Sequence, residues 1–255
     1  MRNVYICNNT IKGVFSAFHD AWKESRDMEV EIQFRENNDY QFFCNYIEVE
    51  ECDKKAQIFE HLVCKNLGYE SYYRIYHALL CNDPKKGTAV FRMVQDARKI
   101  NNSKMIMEHL GNENVMKVFE LSRKVLGEAH LTRGFIRFRE LEGGVLFAEI
   151  TPKSQILTCL IEYFSNRYPM ENWVIYDKTH KMSLVHQVGK PCFIMALDEV
   201  NQREVEKISS MEDDYQELWR EFVTSIAIKE RKNYKLQRSL LPLRYRENMT
   251  EFKKS

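Results

Sequence analysis

Two arginines that alternate with aromatic residues form the most distinctive chemical pattern of the chain. The stretch GFIRFRELEGGVLFAEITP, residues 134–152, places Arg137 and Arg139 before a glycine pair and Phe147 after it. A planar guanidinium group suits phosphate groups and base edges, and a neighbouring aromatic ring can stack on a base. The stretch is therefore either a nucleic-acid contact or a hairpin whose charges pair with each other.

The hydrophobic period of two predicts a hairpin, and its register separates the two arginines. A three-residue loop at 142–144 matches the apolar faces of both strands. This register sets Arg139 opposite Phe147 and Arg137 opposite Glu149. An ion pair with Glu149, which contributes a few tenths to about 1 kcal/mol, then explains Arg137 as well as a ligand contact does. The guanidinium of Arg139 stays available and is the better candidate for a ligand contact.

Four side chains are candidates for acid–base chemistry, namely His130, Glu149, Asp177 and His180. His130 ends a predicted helix, where the partial negative helix charge favours the imidazolium form. Asp177 and His180 flank the turn YDKTHK. General acid–base catalysis needs such groups within hydrogen-bonding reach of each other. Structural explanations stay open, because His130 can cap its helix and Asp177 can organise the turn.

The basic charge is concentrated near the C-terminus. The whole chain carries 38 Lys and Arg against 37 Asp and Glu, whereas residues 226–246 hold seven basic residues and one acid, a local charge of +6. Such a segment suits a polyanion, although a solvated helix face explains it equally well. The predicted nucleic-acid-binding residues are Arg137, Arg139, Phe147, Arg167, Lys229, Arg231, Lys232, Arg238, Arg244 and Tyr245.

Composition limits the class of protein. With 44% hydrophobic residues among 255, the chain can bury a substantial core. Its seven cysteines form no C-x-x-C pair, so we expect no metal site and no cofactor. No apolar run approaches the roughly 18 residues that span a bilayer, and the N-terminus lacks an apolar secretion signal. We therefore expect a cytoplasmic protein with no membrane partner.

Hydrophobic periodicity predicts an α+β fold, with a mainly antiparallel ββαββ(β) sheet flanked by N-terminal and C-terminal helical segments. Residues 1–130 are predicted to be mainly helical, with short strands near 4–7 and 30–34. Residues 131–255 are predicted to combine the sheet with the basic C-terminal helices, and both regions are expected to pack together as one unit. The predicted strands are 134–141, 145–150, 173–177, 182–186 and 191–195, with one helix at 153–168.

Several blocks together resemble a bacterial family of uncharacterised DNA metabolism or repair proteins. The matching blocks are EAHLTRGFIRFRELEGGVLFAEITP, Phe164 and Arg167 spaced before WVIYD, and LWREFVTSIAIKERKNYKLQRSLLPLRYRENMTEF, with weaker matches at IKGVFSAFHDAW and AQIFEHL. Two positions depart from the family pattern. Leu131 stands where the family often has a basic residue, and Arg246 stands where it has an aromatic one.

The resemblance implies a role at DNA, with no established reaction. Family members look like companions of a radical-SAM protein assigned to DNA modification or repair. The region from the RFRE block onward also occurs joined to uracil-DNA-glycosylase-like domains. An iron–sulfur cluster, if one is involved, would belong to the partner.

Three functions remain open from the sequence. The leading expectation is a DNA-binding accessory protein in DNA repair that acts with the radical-SAM partner and meets single-stranded or damaged DNA. The second is an enzyme on damaged DNA, of the nuclease or glycosylase type. The third is an adaptor that binds only the radical-SAM protein.

Overall fold

The chain forms two compact units, Met1–Leu126 and Gly127–Ser255. A computed structural model describes residues 2–24, 29–37, 40–141, 143–196, 212–226 and 233–252. The boundary between the units falls within one long helix, Glu113–Phe135.

The first unit contains a parallel sheet. Its strands are β1 (Arg2–Cys7), β2 (Val30–Phe34) and β3 (Cys44–Glu48), in the order β2-β1-β3. Helix α1 (Ile11–Glu24) connects β1 to β2, and such a crossover places two strands side by side in the same direction. Hydrophobic periodicity indicated β1 and β2 but not β3, which is partly exposed and lacks clean alternation.

Three further helices complete the first unit, namely α2 (Asp53–Leu80), α3 (Lys86–Asp96) and the beginning of α4 (Glu113–Phe135). The apolar faces of α2 and α3 meet α1 in an aromatic core. The Phe18 ring lies 5.2 Å from that of Phe59 and 5.5 Å from that of Phe91, between centroids. Gly68 has a non-helical φ of 81°, a conformation that favours glycine, so α2 consists of two helical segments that meet at a kink there, as a glycine that stops a helix predicts.

Helix α3 is seated against the edge strand β2. The Thr88 hydroxyl accepts a hydrogen bond from the Ile32 N–H and donates one to the Ile32 carbonyl. These bonds satisfy edge groups that would otherwise attract another strand. The contact also needs a glycine, because a Cβ on Gly87 would lie 2.9 Å from Ile32 Cγ2.

The second unit contains a mixed sheet. Its strands are β4 (Arg139–Leu141), β5 (Val145–Ile150), β6 (Trp173–Asp177), β7 (Met182–His186) and β8 (Phe193–Ala196), paired in chain order. β5 and β6 are parallel, whereas the other neighbours are antiparallel. The prediction of one mainly antiparallel ββαββ(β) sheet is therefore wrong, since the first sheet is wholly parallel and the second is mixed.

The physical reason is the helix between β5 and β6. Helix α5 (Leu157–Arg167) carries the chain back along the sheet, so β6 starts at the same edge as β5. Phe164 of α5 packs on Trp173, with ring centroids 6.1 Å apart, and Trp173, Ile175 and Leu184 are fully buried on this face. The sequence predicted this helix but not the crossover that it makes.

Helix α4 continues beyond its predicted end, and β4 is correspondingly short. Ile136 N donates to the Thr132 carbonyl, and the Thr132 hydroxyl donates to the Glu128 carbonyl, so helical bonding persists through the block HLTRGF. The predicted strand from 134 therefore begins only at Arg139.

The C-terminal part of the second unit is helical. It contains α6 (Glu212–Ser225), α7 (Tyr234–Leu240) and α8 (Leu243–Arg246), followed by a short 3-10 turn at Thr250–Phe252. Pro242, which cannot continue a helix, separates α7 from α8. Within the described ranges, no helix combines the length and the apolar character needed to cross a membrane.

Replacing Gly87 with alanine tests the contact between α3 and β2. The added methyl group meets Ile32 at 2.9 Å, and such overpacking costs about 1–3 kcal/mol, which outweighs the gain in helix propensity. Gly127→Ala is the matched control, because this helical glycine has nothing within 4 Å of its added Cβ. We expect Gly87→Ala to lower the denaturant midpoint and Gly127→Ala to raise it. Equal stabilisation by both would contradict the close approach.

Candidate functional site

The hairpin has the predicted register. Arg139 pairs with Phe147 and Leu141 pairs with Val145, which leaves residues 142–144 as the loop. Gly143 and Gly144 have φ values of 95° and 76°, a region where glycine avoids the strain of other residues. The choice of a three-residue loop from the two apolar faces is confirmed.

Arg137 has a structural partner, but the predicted partner was wrong. Its Nη2 lies 2.7 Å from Glu251 Oε1, whereas Glu149 is engaged by Arg139 at 4.0 Å. Burial raises the pKa of Glu251, but hydrogen bonds from Arg137 and from Trp219 Nε1 outweigh it, so the net pKa lies below its ordinary value. Arg137 thus ties the start of the hairpin to the C-terminal turn.

Arg139 lies beside Phe147, as the register predicted, but the pair faces inward. The guanidinium carbon is 5.1 Å from the ring centroid, and Phe147 is buried. Phe147 packs in a small core with Leu141 and Tyr176. Its ring is therefore covered in this conformation and offers no open face for a base.

The parallel pair gives the second unit a carboxyl edge, where β5 and β6 both end. Lys178 N donates to the Ile150 carbonyl at 3.0 Å, which joins the turn after β6 to the loop after β5. Thr151 donates to the Arg244 carbonyl and accepts from Asn248 Nδ2, so the C-terminal helices border the same edge. In open α/β sheets, ligands commonly bind outside the carboxyl ends of parallel strands.

Glu128 of helix α4 connects two segments that border this edge. The carboxylate is buried and accepts the backbone N–H groups of Lys153 and Ser154 at 2.8 and 3.0 Å. It also receives Arg244 Nη2 at 2.8 Å. One charge thus fixes the loop after β5 and the start of α8 through charge-assisted hydrogen bonds.

Asp177 and His180 form the second polar pair at this edge. Asp177 is buried, and its Oδ1 accepts the backbone N–H groups of Thr179 and His180. Its Oδ2 lies 2.5 Å from His180 Nδ1. The aspartate organises the turn and orients the imidazole, so with Nδ1 protonated the Nε2 atom is left as an acceptor.

Three lysines project from the same two loops. Lys153 follows β5, and Lys178 and Lys181 belong to the turn after β6; all three are exposed. We call them the edge lysines. None of them forms an ion pair with any residue that the structure describes. The two buried carboxylates at this edge, Asp177 and Glu128, pair instead with His180 and Arg244. Among the described residues, the edge thus presents three lysine ammonium groups without ion-pair partners, beside two carboxylates that already have partners.

The other predicted acid–base residues are not brought to this pair. Glu149 pairs in register with Tyr176, so it lies on the opposite face of the sheet from Asp177. His130 is exposed on α4. Of the four candidates, the structure joins only Asp177 and His180 by a hydrogen bond.

The remaining predicted nucleic-acid contacts are dispersed. Arg167 is exposed at the end of α5, at the amino edge where β6 begins, and Arg238 is exposed on α7. Tyr245 is buried against Phe135, with ring centroids 5.1 Å apart. The predicted contacts Lys229, Arg231 and Lys232 lie outside the described residues.

The edge lysines and Glu128 were not among the residues predicted from the sequence. A lysine follows each of β5 and β6 in the blocks EITPKS and YDKTHK. That signal becomes meaningful only when the two strands are known to be parallel, because their ends then share an edge. The antiparallel prediction placed these ends at opposite edges.

A buried lysine in the first unit was also missed. Lys86 is 2% exposed, its Nζ lies 5.0 Å from the Phe34 ring centroid, and burial lowers its pKa to about 8. Burial raises the pKa of the nearby Cys7 thiol to about 12, so this group stays protonated. No three His, Cys, Asp or Glu side chains of the described ranges come together as metal ligands would.

Replacing Glu128 with alanine tests its role at the edge. The change leaves Arg244 and two backbone N–H groups without their acceptor, and we expect a loss of about 2–4 kcal/mol in the free energy of unfolding. Glu120→Ala removes an exposed carboxylate from the same helix and should cost no more than about 0.5 kcal/mol. Equal effects in chemical denaturation would show that Glu128 does not hold the edge.

Comparison with known proteins gives one family. The family described as a domain of unknown function, DUF4130, matches residues 84–251, about two thirds of the chain. The match begins just before α3 and includes the whole of the mixed sheet and its carboxyl edge. None of the curated proteins compared with the chain matches it. The chain therefore belongs to the DUF4130 family.

Proposed function

We propose that the chain is a DNA-binding accessory protein in DNA repair, and that it contacts the phosphate backbone with the carboxyl edge of the mixed sheet. The observation that carries the proposal is the set of edge lysines, Lys153, Lys178 and Lys181, exposed on two loops that are bonded to each other. Lysine ammonium groups without ion-pair partners are free to replace the counterions of a polyanion.

The electrostatics of the edge favour an anion. Both buried carboxylates already have hydrogen-bond donors. Glu128 accepts from two backbone N–H groups and from Arg244. Asp177 accepts from two backbone N–H groups and from His180. The first turn of α5 follows the β5 loop and adds the partial positive charge of a helix N-terminus. The exposed Arg167 and Arg238 lie elsewhere on the unit and would extend the contact along a longer strand.

The proposal includes a radical-SAM companion and a role in repair, because the resemblance of the RFRE and KERKN blocks implies both. In this arrangement the present chain would hold DNA, and the partner would supply any iron–sulfur chemistry. An adaptor role without DNA contact is the simpler alternative. It is distinguished by whether oligonucleotides bind the isolated chain.

Catalysis on damaged DNA is a second candidate, favoured by the bonded pair of Asp177 and His180. A buried carboxylate that accepts from Nδ1 leaves Nε2 of a neutral histidine able to accept a proton from water or from a hydroxyl group. The edge lysines would hold the phosphates beside it. The expected chemistry is hydrolysis of a phosphodiester or a glycosidic bond.

Substitution of the edge lysines tests DNA binding. In the variant Lys153→Ala/Lys178→Ala/Lys181→Ala, we expect weaker binding and a log–log salt dependence whose slope is smaller by about 2 to 3, since each phosphate contact contributes about 0.7–0.9. The measurement is fluorescence anisotropy with single-stranded and duplex oligonucleotides over a salt series.

The matched control removes three exposed lysines of the first unit, in Lys54→Ala/Lys65→Ala/Lys104→Ala. It keeps the charge change of the test variant and should leave the slope unchanged. Equal losses in the two variants would indicate a nonspecific effect of net charge. An absence of binding by the unmodified chain at low salt would refute the proposed function.

A His180→Asn variant separates binding from catalysis. If the chain is an enzyme, incubation with a duplex that carries one uracil or one abasic site yields cleaved strand or released base. His180→Asn then abolishes the product while anisotropy shows unchanged binding. Product that persists in His180→Asn would remove the histidine from the mechanism, and no product from either protein would count against catalysis on these lesions.

A further inference from the structure

The first unit contains a cleft of about 320 Å³ that lies beside the kink of α2. Its lining residues come from α1, α2 and α3, and from residues 97–103, which follow α3. Cavities of roughly 300–1,000 Å³ commonly hold small molecules. All of the lining residues belong to the first unit, so the cleft is built without the edge lysines of the second unit.

Apolar side chains form most of the cleft. Six of the nine residues that line it are apolar, namely Trp22, Leu62, Leu67, Val94, Ala97 and Ile100. The Trp22 ring makes T-shaped contacts with the rings of Phe59 and Phe91, at centroid distances of 5.6 and 6.0 Å. Because these contacts fix the indole before a ligand arrives, the cleft already has an aromatic wall beside which a second ring can pack.

Two neutral polar residues also line the cleft. The Ser103 hydroxyl donates to the Asn66 carbonyl at 2.8 Å, and Asn66 Nδ2 donates to the Leu62 carbonyl at 2.9 Å. These bonds join α2 to the 3-10 turn that begins at Ser103, so the two segments keep a fixed spacing. Asn66 and Arg98 are exposed, which leaves the cleft accessible from solvent.

Arg98 is the one charged residue among the nine described residues that line the cleft. Its guanidinium carbon lies 3.5 Å from the Trp22 ring centroid, a cation–π contact that orients the planar group. A guanidinium group has five N–H donors, so it can bind a carboxylate while it keeps other partners. The neighbouring Lys99 does not line the cleft, and its Nζ pairs with Asp96 Oδ1 at 2.7 Å. The cleft therefore combines apolar walls with a single positive charge.

We propose that this cleft binds a small aromatic carboxylate. The ring of the ligand packs beside Trp22 and against the aliphatic walls, and its carboxylate accepts hydrogen bonds from Arg98. A cationic ligand is disfavoured, because the described residues that line the cleft include no acid to balance it. The site goes beyond the proposed function, because binding of this ligand requires neither DNA nor the Asp177–His180 pair.

The tryptophan signals show where a ligand binds. The chain has three tryptophans, and Trp173 and Trp219 belong to the second unit, so their indole N–H signals in a proton–nitrogen correlation spectrum serve as internal references. The probes are benzoate, indole-3-acetate and 2-naphthoate, added without DNA, and Trp22→Phe assigns the Trp22 signal. We expect a saturable shift of the Trp22 signal alone. A Trp22 signal that none of the probes shifts, or shifts confined to the other two tryptophans, would overturn the proposal.

The neutral amides of the same probes test the charge of the site, together with two matched variants. Arg98→Met removes the guanidinium and keeps an unbranched side chain, whereas Lys99→Met removes one charge from the neighbouring residue outside the cleft. In calorimetric titrations we expect the unmodified chain to bind a carboxylate about tenfold more tightly than its amide, because hydrogen bonds between charged groups are stronger than neutral ones.

Arg98→Met should bind the carboxylate and the amide equally, and its retained affinity for the amide shows that the variant is folded. Lys99→Met should keep the preference of the unmodified chain. A preference that persists in Arg98→Met, or that Lys99→Met loses to the same extent, would overturn the assignment of the carboxylate to Arg98.

Discussion

A single buried carboxylate, that of Glu128, organises the carboxyl edge of the mixed sheet in the second unit. It accepts two consecutive backbone N–H groups from the loop after β5 and the guanidinium of Arg244 from α8. An uncompensated charge in this position would be strongly unfavourable, so the loop, α4 and α8 are fixed together. Lys153 projects from that loop, and hydrogen bonds through Thr151 and Asn248 extend the order to the C-terminal helices.

The crossover through α5 decides which residues share an edge. The periodicity of the sequence correctly indicated β5, α5, β6 and β7, because apolar residues alternate in the strands and recur at helical spacing in α5. It did not indicate strand direction. Direction follows from the path of the chain, and the helix between β5 and β6 places Ile150 and Asp177 at the same edge. The edge lysines could have been predicted as a group from that one topological rule.

The hairpin shows how far local reasoning extends. The register followed from residues within 20 positions of each other, since only one loop length matches both apolar faces. The partner of Arg137 is 114 residues away at Glu251, and nothing in the local pattern indicates it. The same distance effect explains Tyr245, whose aromatic and basic neighbours suggested a surface but whose ring is buried against Phe135. Long-range packing thus determined which of the basic and aromatic residues remain exposed.

The central claim is that DNA phosphates lie on the carboxyl edge of the mixed sheet, and lysine footprinting tests it most directly. The chain is treated with an amine-modifying reagent with and without a single-stranded oligonucleotide, and the modification of each lysine is measured by mass spectrometry. Our account predicts that the oligonucleotide protects Lys153, Lys178 and Lys181 and leaves Lys54 and Lys65 of the first unit unchanged. Unchanged reactivity of the three edge lysines under conditions where the oligonucleotide is bound would contradict it.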